Sequence, residues 1–274
     1  MRIALGYNLA KCFPLRMKIL HHPRRNAPGR RINRQGEGQF MSRRRFGCEF
    51  EFSASWKKVE DAVRRSIPSG NLEVNKDWCR SKEDSKWILK TDSTTSAELT
   101  TPICHDVDLP LVCRVTRRLH DHDLYITRKD GFHVHVSAMA NDPVKMARAW
   151  MDYEEAILSM FPEYRRKSDY CLPYVEDGLR MNDVQAVDLL HNHHAVMSYS
   201  KLRTFEFRIC EGTLDHAWVG AWVRLCMEFV DSSSSYLVSG GSCSLEQLLK
   251  RLEVSHHDYR LFMGRQEKFG SRRV

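Results

Sequence analysis

Phe46-Gly47-Cys48-Glu49-Phe50-Glu51-Phe52, Gly131-Phe132-His133-Val134-His135-Val136 and Thr204-Phe205-Glu206-Phe207-Arg208-Ile209 share one grammar. Polar residues at i and i+2 alternate with Phe, Val or Ile, and a β-strand sends i and i+2 to one face and their neighbours to the other. If the three strands share a sheet, one face carries Glu49, Glu51, His133, His135, Glu206 and Arg208, while the other is built of Phe, Val and Ile. Carboxylates crowded on a half-buried surface repel one another and lose hydration unless cations compensate. Glutamates with imidazole and one guanidinium therefore point to a divalent-metal and phosphate site. A lone E-x-E strand is more often the wet face of an antiparallel sheet, and a lone H-x-H is more often a surface histidine pair. Three such strands drawing on the same ligand alphabet argue for a site.

The 274 residues, 42% of them hydrophobic, suffice for one large domain with appendages. Nine scattered cysteines, none in a C-x-x-C, argue against a disulfide framework and against zinc fingers, and they fit a reducing compartment. No apolar run approaches the ~18 residues of a membrane span, and basic residues interrupt the first twenty, unlike a secretory signal; the expected location is the cytoplasm. The net charge of +8 is unevenly placed: residues 1–45 hold ten Arg and two Lys against Glu37 alone. Such a stretch reads as a disordered basic arm. It is a nucleic-acid tail, a targeting peptide, or untranslated sequence ahead of Met41; the last is the expected case.

Further along, an amphipathic helix is expected over 55–67, with Trp56, Val59, Val63 and Ile67 on one face. Strands are expected at 86–90 and around Glu98-Leu99, joined by a turn at Asp92-Ser93. Asp108 and Pro110 open a helix faced by Leu111, Val115 and Leu119. Leu124–Ile126 and Phe132–Ser137 suggest a hairpin around Lys129-Asp130-Gly131. A helix spans 143–161, residues 165–195 are irregular, and Asp215 starts a long helix carrying Trp218 and Trp222. A Ser/Gly linker near 232–241 precedes a final helix whose capping box is Ser244 and Gln247. Interspersed strands in hairpin-like pairs imply an α+β fold with a largely antiparallel sheet. Neither G-x-G-x-x-G nor a P-loop is present.

Gly47-x-Glu49-x-Glu51, Trp87…Asp92, Glu98-Leu-x-Thr-Pro102, Gly131-x-His133-Val-His135-Val and Thr204-x-Glu206-Phe-Arg208, followed by Gly212-Thr-Leu-Asp215, resemble in that order the amidoligase family of glutamine-synthetase-like carboxylate–amine ligases. The resemblance covers roughly 46–230. It implies a curved, largely antiparallel sheet of the glutamine-synthetase catalytic type, with helices packed on its outer face. It also implies ATP, held by two or more Mg²⁺ or Mn²⁺ ions. Carried over by position, Glu51 and Glu98 correspond to ligands of an ion near the amine and acyl-phosphate side. Glu49, His133 and Glu206 correspond to ligands of an ion bridging the ATP phosphates. His135 would face the phosphates, Arg208 would stabilise the transferred phosphoryl group, and Arg203 is a further candidate for phosphate or substrate carboxylate. Glu98 and Arg208 are the catalytic candidates. Asp92-Ser93-Thr94 departs from the family's Asp-Gly-Ser, and the segment between His135 and Glu206 matches poorly.

The implied organisation is an arm over 1–45, a catalytic domain over 46–240 and a helical, basic-tailed extension over 241–274. The expected reaction is ATP-dependent amide formation between a carboxylate and an amine, small molecule or peptide, through an acyl phosphate. Two other readings stay open: a nucleic-acid-binding protein working through its basic arm on an inactive ligase-like scaffold, and a metal-dependent hydrolase using the same ligands. Cys48 and Cys210 read as buried filler, His191 to His194 as a solvated loop, and Trp218 and Trp222 as core.

Overall fold

Alternation of polar and apolar residues produces strands here because each strand buries one face against helices. In the computed structural model, the residues described are 44–76, 85–139, 141–176, 179–233 and 243–270. Of the expected arm, residues 1–43 lie outside the described residues, as does most of the expected linker. The described elements belong to one compact unit, Met41–Val274. Its first half runs β1 (Arg45–Phe52), α1 (Trp56–Ser66), β2 (Leu72–Asn75), β3 (Trp87–Lys90), β4 (Ala97–Thr100), β5 (Cys104–His105), α2 (Leu109–His120) and β6 (Phe132–Ser137). The second half runs α3 (Pro143–Leu158), α4 (Glu163–Arg166), β7 (Val175–Glu176), β8 (Leu179–Arg180), α5 (Asp183–Leu190), β9 (Met197–Tyr199), β10 (Thr204–Phe207), α6 (His216–Ser233), α7 (Leu245–Arg251) and α8 (His256–Phe269).

Eight strands form one open sheet in the order β2-β3-β4-β1-β6-β10-β9, with β5 also paired to β1. Only the β2–β3 pair is parallel; the other pairings are antiparallel. The three decisive strands lie side by side at its centre, in the order β1-β6-β10. Register places Glu49 opposite His133, Glu51 opposite Glu98, and Glu206 opposite His135. Residues directly opposite in an antiparallel pair share a face, so all six fall on one side.

The other side is the core. Phe50, Phe52, Phe132, Val134, Phe205 and Phe207 are each at most 2% exposed. Phe50 and Phe132 meet at 4.7 Å, and Phe207 packs against Trp150 of α3 and Trp222 of α6 at 5.6 and 6.4 Å. Burying one such aromatic is worth roughly 1.5–3 kcal/mol, so the alternation is held by several independent anchors. Among the described residues no helix is long and apolar enough to cross a membrane, and no disulfide joins the described cysteines.

Several expectations are corrected by tertiary context. No hairpin forms at 129–131, because β6 is flanked on both sides by β1 and β10. The Asp130 carboxylate instead closes a turn, accepting from the Thr127 N–H at 2.5 Å and the Ser53 hydroxyl at 2.6 Å. Leu111 is 43% exposed; α2 buries Leu109, Val112, Val115 and Leu119. Asp108 stands at the N-cap of α2 with Pro110 just inside it, but its carboxylate accepts from the His105 N–H and closes a preceding 3-10 turn rather than bonding the helix. The irregular stretch 165–195 contains α5, whose capping box is Asn182 and Gln185.

The capping box of Ser244 and Gln247 is present, but the final helix is two, α7 and α8. Helix α8 packs on α6: Phe262 is fully buried, and Arg265 stacks over Trp218 at 4.0 Å. Arg44 and Arg45, which composition groups with the arm, belong to the fold. Arg45 opens β1, and Arg44 is 5% exposed, pairing with Asp231 and donating to the Ser137 carbonyl at 2.8 Å.

Candidate functional site

Centred on β1, the polar face brings together most of the residues singled out from the sequence. Glu49 lies between the two imidazoles, with His133 Nδ1 3.3 Å from one oxygen and His135 Nε2 3.2 Å from the other. Glu206 Oε1 is 3.8 Å from His133 Nδ1 and 3.9 Å from His135 Nε2. Arg208, just past the end of β10, pairs with the same Glu206 carboxylate. Glu51 faces His133 Nε2 at 3.7 Å, and Glu98 sits opposite Glu51 in register.

Local structure explains how close these groups come. The Gly131 N–H donates to Glu51 Oε2 at 2.6 Å. A Cβ at Gly131 would meet His133 Nε2 at 2.7 Å and Glu51 Oε2 at 3.0 Å, so only glycine lets the backbone approach. His135 is oriented from behind: its Nδ1 is 3.2 Å from the Thr204 hydroxyl, which is 2.7 Å from that of Ser200. That leaves Nε2 facing Glu49 and Glu206. A metal-bound histidine is commonly fixed in this way by a partner on its other ring nitrogen.

The electrostatics follow from crowding. Burial disfavours a charged His135, yet Glu49 and Glu206 outweigh it and push the imidazole up to about 9. Burial likewise opposes ionisation of Glu49, but His135 and His133 hold its carboxyl well below the usual range. Glu206 is lowered against the same burial by His135, Arg208 and His133. Glu98 goes the other way: burial and the negative charge of Glu49 push it up to about 8, against the pull of Lys90.

Among the described residues one group of donors could close on a single ion: Glu49, His135 and Glu206, whose ligand atoms lie within 4.8 Å of one another. Buried His135 Nε2 makes no hydrogen bond. Two carboxylates and one imidazole suit Mg²⁺ or Mn²⁺ rather than a thiolate-seeking metal. The ligand alphabet was legible in the sequence; His135 completes this group of three, and His133 lies beside it, near Glu49, Glu51 and Glu206.

Arg203 is not brought in. It occupies the β9–β10 turn with φ 57°, exposed to solvent and one residue beyond the pairing of β10 with β6. Asp92 forms an Asx turn, accepting from the N–H groups of Thr94 at 2.8 Å and Thr95 at 3.1 Å. Burial raises its pKa, but these bonds and the Thr94 hydroxyl hold the carboxyl below its ordinary value. Burial pushes the Cys48 and Cys210 thiols up, away from nucleophilic character. His194 stacks on Tyr170 at 5.0 Å, apart from the Glu49 donor group.

Sequence reasoning missed three contributors. Lys90 Nζ is 2.8 Å from Glu98 Oε1, and Lys90 sits opposite Glu98 in the β3–β4 register. The buried Ser198 hydroxyl donates to Glu206 Oε2 at 3.2 Å. Arg165 donates to the Arg208 carbonyl at 2.5 Å and braces the end of that strand. Only Lys90 left a trace in the sequence, as the polar end of the strand Trp87-Ile88-Leu89-Lys90.

The chain matches the family model described as "Putative amidoligase enzyme" over residues 43–195, a span that includes β1, β4 and β6 and stops before Glu206 and Arg208. A comparison with curated proteins finds no match.

Proposed function

This chain belongs to the amidoligase family, and on that premise we propose that it is an ATP- and Mg²⁺- or Mn²⁺-dependent ligase that joins a carboxylate to an amine, on a sheet of the glutamine-synthetase catalytic type. The observation that carries the reading is the convergence of Glu49, His135 and Glu206, whose ligand atoms lie within 4.8 Å of one another.

The residues present fit a hard divalent ion, and Glu49, His135 and Glu206 would hold it. When bound, the ion neutralises phosphate charge and orients the nucleotide for transfer. The chain's own groups do the rest. The γ-phosphoryl group of ATP passes to the substrate carboxylate and ADP departs. The amine then attacks the acyl carbon, phosphate leaves, and the amine gives up a proton. Arg208 is held at the rim of the donor group by Glu206, where its planar fork can follow the phosphoryl oxygens through transfer. His133 and Glu51 line the neighbouring part of the same face, where the amine would approach, and Glu98 there is paired with Lys90. The substrates are a small molecule or a peptide, and the cytoplasm supplies the ATP.

The test is ADP release with Mn²⁺, scored across carboxylate and amine pairs. Release that requires both substrates supports the ligase. Amide cleavage without ATP would make the protein a hydrolase. Salt-sensitive nucleic-acid binding that vanishes when residues 1–45 are removed, with no ADP release, would replace the enzyme reading with a binding one.

A further inference from the structure

Across β1, β4 and β3, three side chains form one row on the polar face: Glu51 opposite Glu98, and Glu98 opposite Lys90. The resemblance noted from the sequence assigns Glu51 and Glu98 to a second divalent ion. The geometry points to a different occupant. We propose that the ε-ammonium of Lys90 takes the place of that second ion, so that the face holds a single divalent ion, at Glu49, His135 and Glu206. This rests on the reading that those three residues bind a metal.

On the Glu51–Glu98 side one oxygen of each carboxylate already has a close partner. Glu98 Oε1 has the Lys90 ammonium at 2.8 Å, and Glu51 Oε2 accepts the Gly131 N–H at 2.6 Å. Glu51 Oε1 in turn faces His133 Nε2 at 3.7 Å. Mg²⁺ requires near-octahedral oxygen coordination and gives up its waters reluctantly. Arg208 likewise pairs with Glu206 on the other side, but there three ligand atoms converge, whereas here the Lys90 ammonium already supplies Glu98 with the positive charge a second ion would bring. Among the described residues no three-donor group forms on this side.

Lysine is suited to the role. Its ammonium is a compact point charge with three donors, closer in shape to a bound cation than a guanidinium is. The Lys90 side chain is 27% exposed and that of Glu98 8%, so the charge is delivered from the rim into a largely buried carboxylate. The two halves of the face then differ in kind. On one, a covalently tethered cation balances the carboxylates; on the other, the ligand atoms of Glu49, His135 and Glu206 lie within 4.8 Å of one another. Lys90 is in this sense a positioning residue, acting through Glu98.

The experiment counts ions on the chelator-treated full chain, using Mn²⁺ alone and the EPR signal of the free ion. Wild type should bind one Mn²⁺ per chain, and Lys90→Arg also one. Lys90→Met should bind two, and adding Glu98→Gln to it should return the count to one. A purely structural lysine would alter the melting temperature without altering the count. Two ions on the wild type, or one on folded Lys90→Met, would overturn the proposal. No bound Mn²⁺ on the wild type would overturn the metal reading beneath it, a separate and recognisable result. Should Lys90→Met fail to fold, Glu98→Gln in the wild-type background decides: an unchanged count of one supports the proposal, and a lowered count overturns it.

Discussion

The two halves of the polar face, divided along β1, use the same carboxylate chemistry to different ends. Toward β4 and β3, Glu51 and Glu98 are answered from within the chain by a backbone N–H and a lysine. Toward β6 and β10, Glu49 and Glu206 are answered by imidazole and a guanidinium, and the ligand atoms of Glu49, His135 and Glu206 lie within 4.8 Å of one another. A buried carboxylate must find a positive partner, and the halves differ in that only on the second do three ligand atoms converge as a single ion would need.

The sharpest way to break the contrast is to neutralise the metal half. Glu49→Gln and Glu206→Gln should each abolish Mn²⁺ binding and lower ATP-dependent ADP release about 1,000-fold, roughly 4 kcal/mol of barrier. Retained Mn²⁺ binding in both, measured by calorimetry, would move the metal off this half.

Arg208→Lys should come next. Turnover falls on the order of 100-fold while Mn²⁺ and ATP binding stay nearly intact, because a point charge cannot replace a fork contact made in transfer. If Arg208 only neutralises Glu206, the melting temperature falls instead and the rate per folded molecule holds.

A pH series links the halves. Burial and Glu49 raise Glu98 to about 8 in the metal-free protein. An acid whose folded pKa is raised contributes stability that is fully present below its unfolded value near 4.3, and loses it as pH climbs through the folded value. Glu98 alone should therefore cost the metal-free protein on the order of 5 kcal/mol between about pH 4.5 and 8. Mn²⁺ should flatten that slope by compensating Glu49. Thermal unfolding with and without Mn²⁺ reads both, and parallel slopes would show that the halves do not communicate.

Gly131→Ala strikes the seam between them. Its Cβ would press on His133, which is 3% exposed and cannot yield freely. The expected cost is about 1–3 kcal/mol in urea unfolding, and a neutral result would show that the Glu51 contact is slack. Asp92→Ala should do least: about 1 kcal/mol from the lost Asx turn, with turnover per folded molecule unchanged. A large loss of turnover at normal stability would return Asp92 to the site.

The amino-acid sequence alone determined the sheet's two faces, because side-chain direction in a strand is a property of parity and needs no partner. The same local logic identified Glu49, Glu51, His133, His135, Glu206 and Arg208 as one set, and placed α1, α3 and the Ser244 cap within a few residues. The resemblance to the amidoligases, carried by motifs in order, supplied Glu98. Tertiary structure decided everything that depends on who lies beside whom. The hairpin expected at 129–131 failed because β6 already has neighbours on both sides. Leu111 turned outward because α2 meets α1 and α6 along a different stripe. His135 joins Glu49 and Glu206 in the converging group because register sets it opposite Glu206, with Thr204 behind its other nitrogen. Lys90 met Glu98 because β3 pairs with β4, a fact no local pattern encodes. Parity is written residue by residue, whereas register is a property of pairs distant in the chain.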